Sequence, residues 1–220
     1  MWYYFTMKTA IVGIFDSGIG GRSIEKEIKK ILPKIKTIYL KDSKNFPYGD
    51  KTPVQIRKIA LGNTKYLLDR ESDLIVVACN TATVHAISHL RKLFPKVNFV
   101  GVEPAIKPAL EISKKRVIVL SSPMTTKRIQ NSLVYKVSSL DLVCAIEKKA
   151  SKHEINKILE NALPKKILKN SDVLVLGCTH FPLIRSKIQK FVGPKVKIID
   201  SGQAVAKRVQ YLLELRQVKQ

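Results

Sequence analysis

Apolar runs alternate with amphipathic stretches along this chain. Seven short apolar runs are typical of buried strands: Thr9–Phe15, Thr37–Leu40, Asp73–Cys79, Val97–Val102, Val117–Leu120, Val173–Cys178 and Val196–Ile199. Six longer stretches between them have helical periodicity: Ser23–Ile31, Pro53–Leu68, Thr83–Leu93, Glu154–Ala162, Pro182–Phe191 and Ala204–Leu215. This alternation predicts an α/β fold with mostly parallel sheets, in which ligands collect where strands end and helices begin.

The sequence around two of the predicted strands repeats itself. Ser72–Cys79 aligns with Ser171–Cys178, 99 residues later, and each segment ends on a cysteine that small polar residues follow. Two buried strands of similar composition can also match by chance, because apolar runs draw on few residue types. The shared cysteine favours two related halves that face each other across one cleft.

The composition is that of a globular protein with a high positive charge. The chain has 220 residues, of which 45% are hydrophobic, and its formal net charge is +23. Such a charge is compatible with a nucleic-acid or anionic-membrane partner. The lysines, however, are spread over polar helix faces, and the sequence lacks the interleaved basic and aromatic residues that stack nucleic-acid bases. We therefore do not expect nucleic acid to be the main partner.

The cysteine content and the N-terminal residues point to the cytoplasm. Three cysteines (Cys79, Cys144 and Cys178) are too few for a disulfide framework, so we expect free thiols in a reducing compartment. The N-terminal residues lack the long apolar run of a secretory signal, and Met7 is an alternative start to Met1. The longest uncharged stretch, residues 74–90, contains polar residues and is not a membrane span.

Two cysteines stand where a strand leads into a helix. Cys79 begins a run of small polar residues, and Cys178 is followed two positions later by His180. A helix N-terminus lowers the pKa of a nearby thiol, and a histidine at this spacing is a suitable proton partner. The alternatives are a buried structural cysteine and a structural histidine. Cys144 has no polar companions, so we predict that it lies in the core.

The loop after the first strand carries glycines and one carboxylate. Asp16–Gly21 permits a tight turn and exposes backbone N–H groups that bind anions. The dinucleotide spacing G-x-G-x-x-G is absent, and Asp16 would repel a phosphate, which favours a carboxylate ligand or a catalytic aspartate. The loop Asn45–Gly49 is either functional or a rigid turn around a packed aromatic. His85 and His89, four residues apart, lack a wider metal-binding pattern, and no phosphate cup accompanies a lysine for pyridoxal.

Five motifs together resemble those of the glutamate racemases of the aspartate/glutamate racemase family. In order they are Phe15–Gly21, Phe46–Gly49, Ala78–Thr83, Gly177–Pro182 and Asp200–Gly202. The resemblance implies two similar α/β domains related by a pseudo-twofold, with the substrate between them and neither cofactor nor metal. We expect a first domain at 1–102 with 200–220 and a second at 103–199. We also expect a homodimer that supplies D-glutamate for peptidoglycan.

The resemblance also implies roles for individual residues. Cys79 would take the α-proton from D-glutamate and Cys178 from L-glutamate, with Asp16 and His180 assisting them and Glu147 as an acid near the second thiol. The implied substrate-binding residues are Asp16, Ser17, Tyr48, Gly49, Asn80, Thr81, Ser122, Thr125, Thr179 and His180.

Departures from the family pattern leave other functions open. Arg22 and Lys41 stand where the family usually has an apolar residue and a glycine, and the region from Ser122 to Glu147 looks short. The alternatives are a racemase for aspartate or another small acidic amino acid, and a reduced basic relative that binds nucleic acid or a protein partner.

Overall fold

The computed structural model describes residues 10–218, and the two candidate start positions, Met1 and Met7, lie outside this range. The described residues include eight strands, close to the predicted runs: β1 (Ile11–Asp16), β2 (Lys36–Lys41), β3 (Leu74–Val77), β4 (Asn98–Gly101), β5 (Arg116–Ser121), β6 (Val134–Ser138), β7 (Ser171–Gly177) and β8 (Lys197–Ile199). The sequence analysis missed β6, an edge strand in which only Val134 and Val137 are buried.

The strands form two four-stranded sheets with the same topology. The first has the order β2-β1-β3-β4 and the second β6-β5-β7-β8, and every neighbouring pair is parallel. The predicted α/β class and the internal repeat are thereby confirmed, since β3 and β7, which precede the two cysteines, occupy equivalent positions. The carboxyl ends of parallel strands share one edge of their sheet, so functional residues gather there.

Helices cover the sheets, and the six predicted helices are present: α2 has its predicted ends, and the ends of the other five are shifted by up to three residues. The helices are α1 (Arg22–Ile31), α2 (Pro53–Leu68), α3 (Asn80–Leu93), α4 (Ile106–Ile112), α5 (Pro123–Thr126), α6 (Leu140–Glu147), α7 (Lys152–Ala162), α8 (Lys165–Lys169), α9 (Arg185–Val192) and α10 (Gly202–Val218). Pro182 lies in a 3-10 turn before α9, and α3 begins three residues before the predicted Thr83. Among the described residues, no helix is long and apolar enough to span a membrane.

Each sheet is buried on both faces, as the continuous apolar runs of its central strands require. In the first sheet Val12 and Ile14 face one cluster, whereas Phe15 faces the other. The C-terminal helix α10 returns to this sheet, where Val205 and Val209 pack in the same cluster as Val12. The domain boundaries near residues 102 and 199 stay a prediction.

Candidate active site

Two thiols and one carboxylate lie at the carboxyl ends of central strands. Asp16 is the last residue of β1, Cys79 follows β3 and occupies the N-cap position of α3, and Cys178 follows β7. Cys79 and Cys178 therefore hold equivalent places in the two sheets. The residues next to the two thiols are also in contact: the Thr179 hydroxyl donates to Asp16 at 2.9 Å, and Ser17 Oγ lies 4.0 Å from Cys79 Sγ, so both thiols border one site.

A hydrogen-bonded chain runs from Cys178 to the end of α6. The Cys178 Sγ lies 3.8 Å from His180 Nδ1, and His180 Nε2 lies 2.9 Å from Glu147 Oε2. Burial alone would lower the pKa of His180, but its bonds with Cys178 and Glu147 raise that pKa to about 10. Burial likewise opposes ionisation of Glu147, yet its hydrogen bonds lower its pKa to about 2. Both shifts favour the charged forms of the pair, an imidazolium and a carboxylate.

The glycine loop of the first half, residues 18–20, lies against the side chains of His180 and Glu147. The backbone N–H of Ile19 donates to Glu147 Oε2 at 2.8 Å. A Cβ atom at Gly18 would come within 2.3 Å of Glu147 Oε2, and one at Gly20 within 2.5 Å of His180 Nδ1. Residues without side chains are required here because the loop backbone approaches the catalytic candidates so closely.

Asp16 joins the two halves and is fully buried. One carboxylate oxygen accepts the Gly18 N–H at 2.8 Å, and the other accepts the Thr179 hydroxyl at 2.9 Å. Burial raises the pKa of Asp16, while the nearby His180 and these two hydrogen bonds oppose the shift. Asp16 therefore holds a proton more readily than an exposed aspartate.

The environment of Cys79 differs from the prediction. Its Sγ lies 4.0 Å from Ser17 Oγ, and the thiol is buried. Burial first, and then the charge of Asp16, raises the pKa of Cys79, although the N–H groups of Ala82 and Thr81 act in the opposite direction. The N–H groups at the start of α3 therefore lower this pKa as expected, but desolvation outweighs them, and the net shift is opposite to the predicted one.

Three hydroxyl groups from both halves form a cluster beside the first thiol. Thr81 Oγ1 lies 2.7 Å from Ser122 Oγ and 3.2 Å from Thr125 Oγ1, and Ser122 donates to Thr125 at 3.1 Å. Thr81 belongs to the first turn of α3, whereas Ser122 precedes α5 and Thr125 lies within it. All three are buried, and their hydroxyl groups are suited to hydrogen-bond a carboxylate.

Other predicted substrate-binding side chains bond to the protein itself. The Tyr48 hydroxyl donates to Asp42 at 2.6 Å and accepts from Asn63 at 2.9 Å. The Asn80 amide donates to the Val102 carbonyl at 2.9 Å. Gly49 lies against the second half, where an added Cβ would be 3.3 Å from that of Ser122. Substrate binding by Tyr48, Gly49 and Asn80 stays a prediction.

Two further expectations concern residues outside this cluster. Cys144 is half-buried, so the prediction that it lies in the core is wrong. His85 is half-buried and lies 3.3 Å from the Met124 carbonyl, whereas His89 is exposed. Across residues 10–218, no group of three or more histidine, cysteine or acidic side chains is placed to hold a metal.

The sequence analysis missed Lys41 as a site residue. Its ammonium pairs with Glu147 Oε1 at 2.7 Å. Lys41 ends β2, and its register partner on β1 is Asp16, so its place at a strand end was the signal that could have identified it.

Comparisons with known proteins agree with this geometry. The family model described as Asp/Glu/Hydantoin racemase matches residues 21–209. The glutamate racemase of Clostridium novyi (strain NT) is 39% identical over 203 residues, which are 87% of this chain and 78% of that protein. These matches confirm the resemblance that the five motifs carry.

Solved structures extend the likeness to three dimensions. Escherichia coli glutamate racemase in complex with L-glutamate and the activator UDP-MurNAc-ala superposes with a TM-score of 0.85 at 34% identity, over 93% of this chain and 82% of that one. Francisella tularensis glutamate racemase in complex with D-glutamate gives 0.78 at 30% identity, over 95% and 82%. The likeness thus covers both sheets.

Proposed function

Because this chain belongs to the Asp/Glu/Hydantoin racemase family, we propose that it is an isomerase that interconverts L-glutamate and D-glutamate through its two thiols. The observation that carries the proposal is the equivalent placement of Cys79 and Cys178 at the ends of corresponding strands. Supply of D-glutamate for peptidoglycan, action in the cytoplasm and assembly as a homodimer belong to the same proposal.

Inversion of a tetrahedral carbon requires two opposed bases. A single base returns the α-proton to the face that it left, whereas a second thiol on the other face completes the inversion. The α-proton next to an ionised carboxylate is weakly acidic, so the carbanion has to meet oriented donors as it forms. The buried hydroxyl groups of Thr81, Ser122 and Thr125 can hydrogen-bond a carboxylate of the substrate in this role.

Each thiol has its own proton partner. His180 Nδ1 lies 3.8 Å from Cys178 Sγ, within reach to exchange a proton with the thiol. Burial, and after it the negative charge of the nearby Asp16, raises the pKa of Cys79. The ammonium group of a bound amino acid would offset that negative charge and lower the pKa of both groups. In this proposal the substrate itself thus activates the first thiol.

The test is proton exchange in deuterium oxide. The wild-type protein should place deuterium on the α-carbon of D-glutamate while the circular dichroism signal of the amino acid decays. Cys79→Ser and Cys178→Ser should each abolish racemisation, and Cys144→Ser is the matched control that keeps it. If the wild-type protein produces no α-deuterium and no change in the optical signal, the proposal is ruled out. The same assay with aspartate tests the alternative function, racemisation of a smaller acidic amino acid.

A further inference from the structure

Glu147 lies at a position that disfavours a negative charge, so nearby cationic groups have to stabilise its carboxylate. It is the last residue of α6, and the C-terminus of a helix carries a partial negative charge that disfavours an acidic side chain. The side chain is only 12% exposed, so water compensates little of its charge. Two cationic groups lie against it: His180 at one oxygen and Lys41 at the other.

The two oxygens of Glu147 have different partners. Oε2 accepts from the Ile19 N–H at 2.8 Å and lies 2.9 Å from His180 Nε2, whereas Oε1 pairs with Lys41 at 2.7 Å. With both oxygens engaged, rotation of the carboxylate is restricted. If Oε1 lost its cation, the carboxylate could turn toward solvent and release its hold on the imidazole.

The lysine itself is held in place by its strand. The N–H of Asp42, the next residue, donates to the Asp16 carbonyl at 2.9 Å. Tyr39, two residues earlier and therefore on the same face of β2, donates its hydroxyl to the Gly18 carbonyl at 2.6 Å. The strand thus fixes both the glycine loop and the ammonium group that reaches Glu147.

We propose that Lys41 is a positioning residue of the second thiol: its ion pair fixes the Glu147 carboxylate, which holds His180 so that Nδ1 faces Cys178 Sγ. Lys41 acts from the first half of the molecule on a thiol of the second half. The inference deepens the proposed function and rests on it only for its effect on turnover, because the reactivity of Cys178 is measurable without substrate.

The experiment compares Lys41→Met with Lys41→Arg and with Lys30→Met. The Lys41 side chain is 39% exposed, so its replacement leaves no buried cavity. Lys30 pairs with Glu27 at 2.6 Å on α1, where its side chain is 57% exposed, and its variant controls for the loss of one surface ion pair. Iodoacetamide alkylation, followed by mass spectrometry, gives separate rates for Cys178 and Cys79. Turnover is measured with both enantiomers of glutamate.

In Lys41→Met, alkylation of Cys178 should slow about tenfold because the imidazole that exchanges a proton with this thiol is no longer held facing its Sγ, while the rate at Cys79 stays unchanged. The kcat should fall about tenfold with little change in KM, since misplacement of a catalytic group affects the chemical step. Lys41→Arg should restore most of both losses. An unchanged Cys178 rate in Lys41→Met, or an equal loss in Lys30→Met, would overturn the proposal. If the wild-type protein does not racemise glutamate, the proposed function fails, and the alkylation rates still decide the role of Lys41.

Discussion

Replacement of Gly20 by alanine tests whether the close approach of the two halves sets the position of His180. An added Cβ would lie 2.5 Å from His180 Nδ1 and 2.5 Å from Thr179 Oγ1. It would also lie 2.8 Å from the backbone nitrogen of His180, which cannot rotate away as a side chain can. The glycine loop and the segment after Cys178 must therefore separate.

The size of the effect follows from the distances. Ordinary contacts of a Cβ atom begin at 3.4 Å, so the closest pair is about 0.9 Å too near. Overpacking of this kind typically costs about 1–3 kcal/mol of folding free energy. Displacement of a catalytic group by about 1 Å costs roughly 100-fold in rate. We therefore expect Gly20→Ala to remain folded but to lose about two orders of magnitude in kcat.

The assay is the decay of circular dichroism of D-glutamate, together with thermal unfolding of each variant. Gly62→Ala is the matched control, because Gly62 lies within α2 and an added Cβ would have no neighbour within 4 Å. That change should stabilise the protein by about 0.5–1 kcal/mol and leave turnover unchanged. Wild-type kcat in Gly20→Ala would refute the argument that this contact positions the imidazole.

Three further predictions concern charge, the fold and binding. The pKa of Glu147 is lowered to about 2, so the stability that its carboxylate contributes is lost as the pH falls from 4.5 to 2. The pKa of His180 is raised to about 10, so the stability that its imidazolium contributes is lost as the pH rises from 6.5 to 10. Urea unfolding across pH should show both limbs, and Glu147→Gln should flatten them. Tyr48→Phe leaves the buried Asp42 without one donor and should lower the free energy of unfolding by about 1–3 kcal/mol. A raised KM for glutamate in the same variant would support substrate binding by Tyr48, and an unchanged KM would exclude it. Thr81→Val should raise that KM about tenfold if its hydroxyl binds a substrate carboxylate, whereas an unchanged KM would exclude it from binding.

The sequence predicted the central strands well because buried parallel strands are continuous apolar runs. The run Asp73–Cys79 contains β3 in full. The elements that were missed are short or mixed in character: β6 includes the exposed Lys136, and α5 has only four residues. Such segments are defined by the surfaces on which they pack, and their own residues carry little periodicity.

The candidate site was predictable in its residue types but not in its contacts. Strand ends identified Asp16, Cys79 and Cys178, since parallel strands bring these ends to one edge. The bond between Asp16 and Thr179 joins residues 163 positions apart, and no local pattern indicates it. The direction of the shift at Cys79 was also wrong, because a helix terminus contributes about 0.3–1 kcal/mol, whereas desolvation of a buried charge costs several. Burial of a side chain is a property of the whole fold.

The two walls of the site share a topology but differ in electrostatics. Cys79 is buried beside a carboxylate that raises its pKa, whereas Cys178 is half-buried beside an imidazolium. Two enantiomers have equal free energies in water, so under the proposed function kcat/KM must be equal in both directions, however unequal the thiols are. An electrostatic difference between the walls can therefore give the two enantiomers different kcat values only if their KM values differ by the same factor. Each turnover uses both thiols once, so proton transfer at Cys79 occurs in either direction. The free-energy cost of ionising the buried Cys79, which the bound ammonium group reduces, should therefore fall on the same proton-transfer step for both enantiomers.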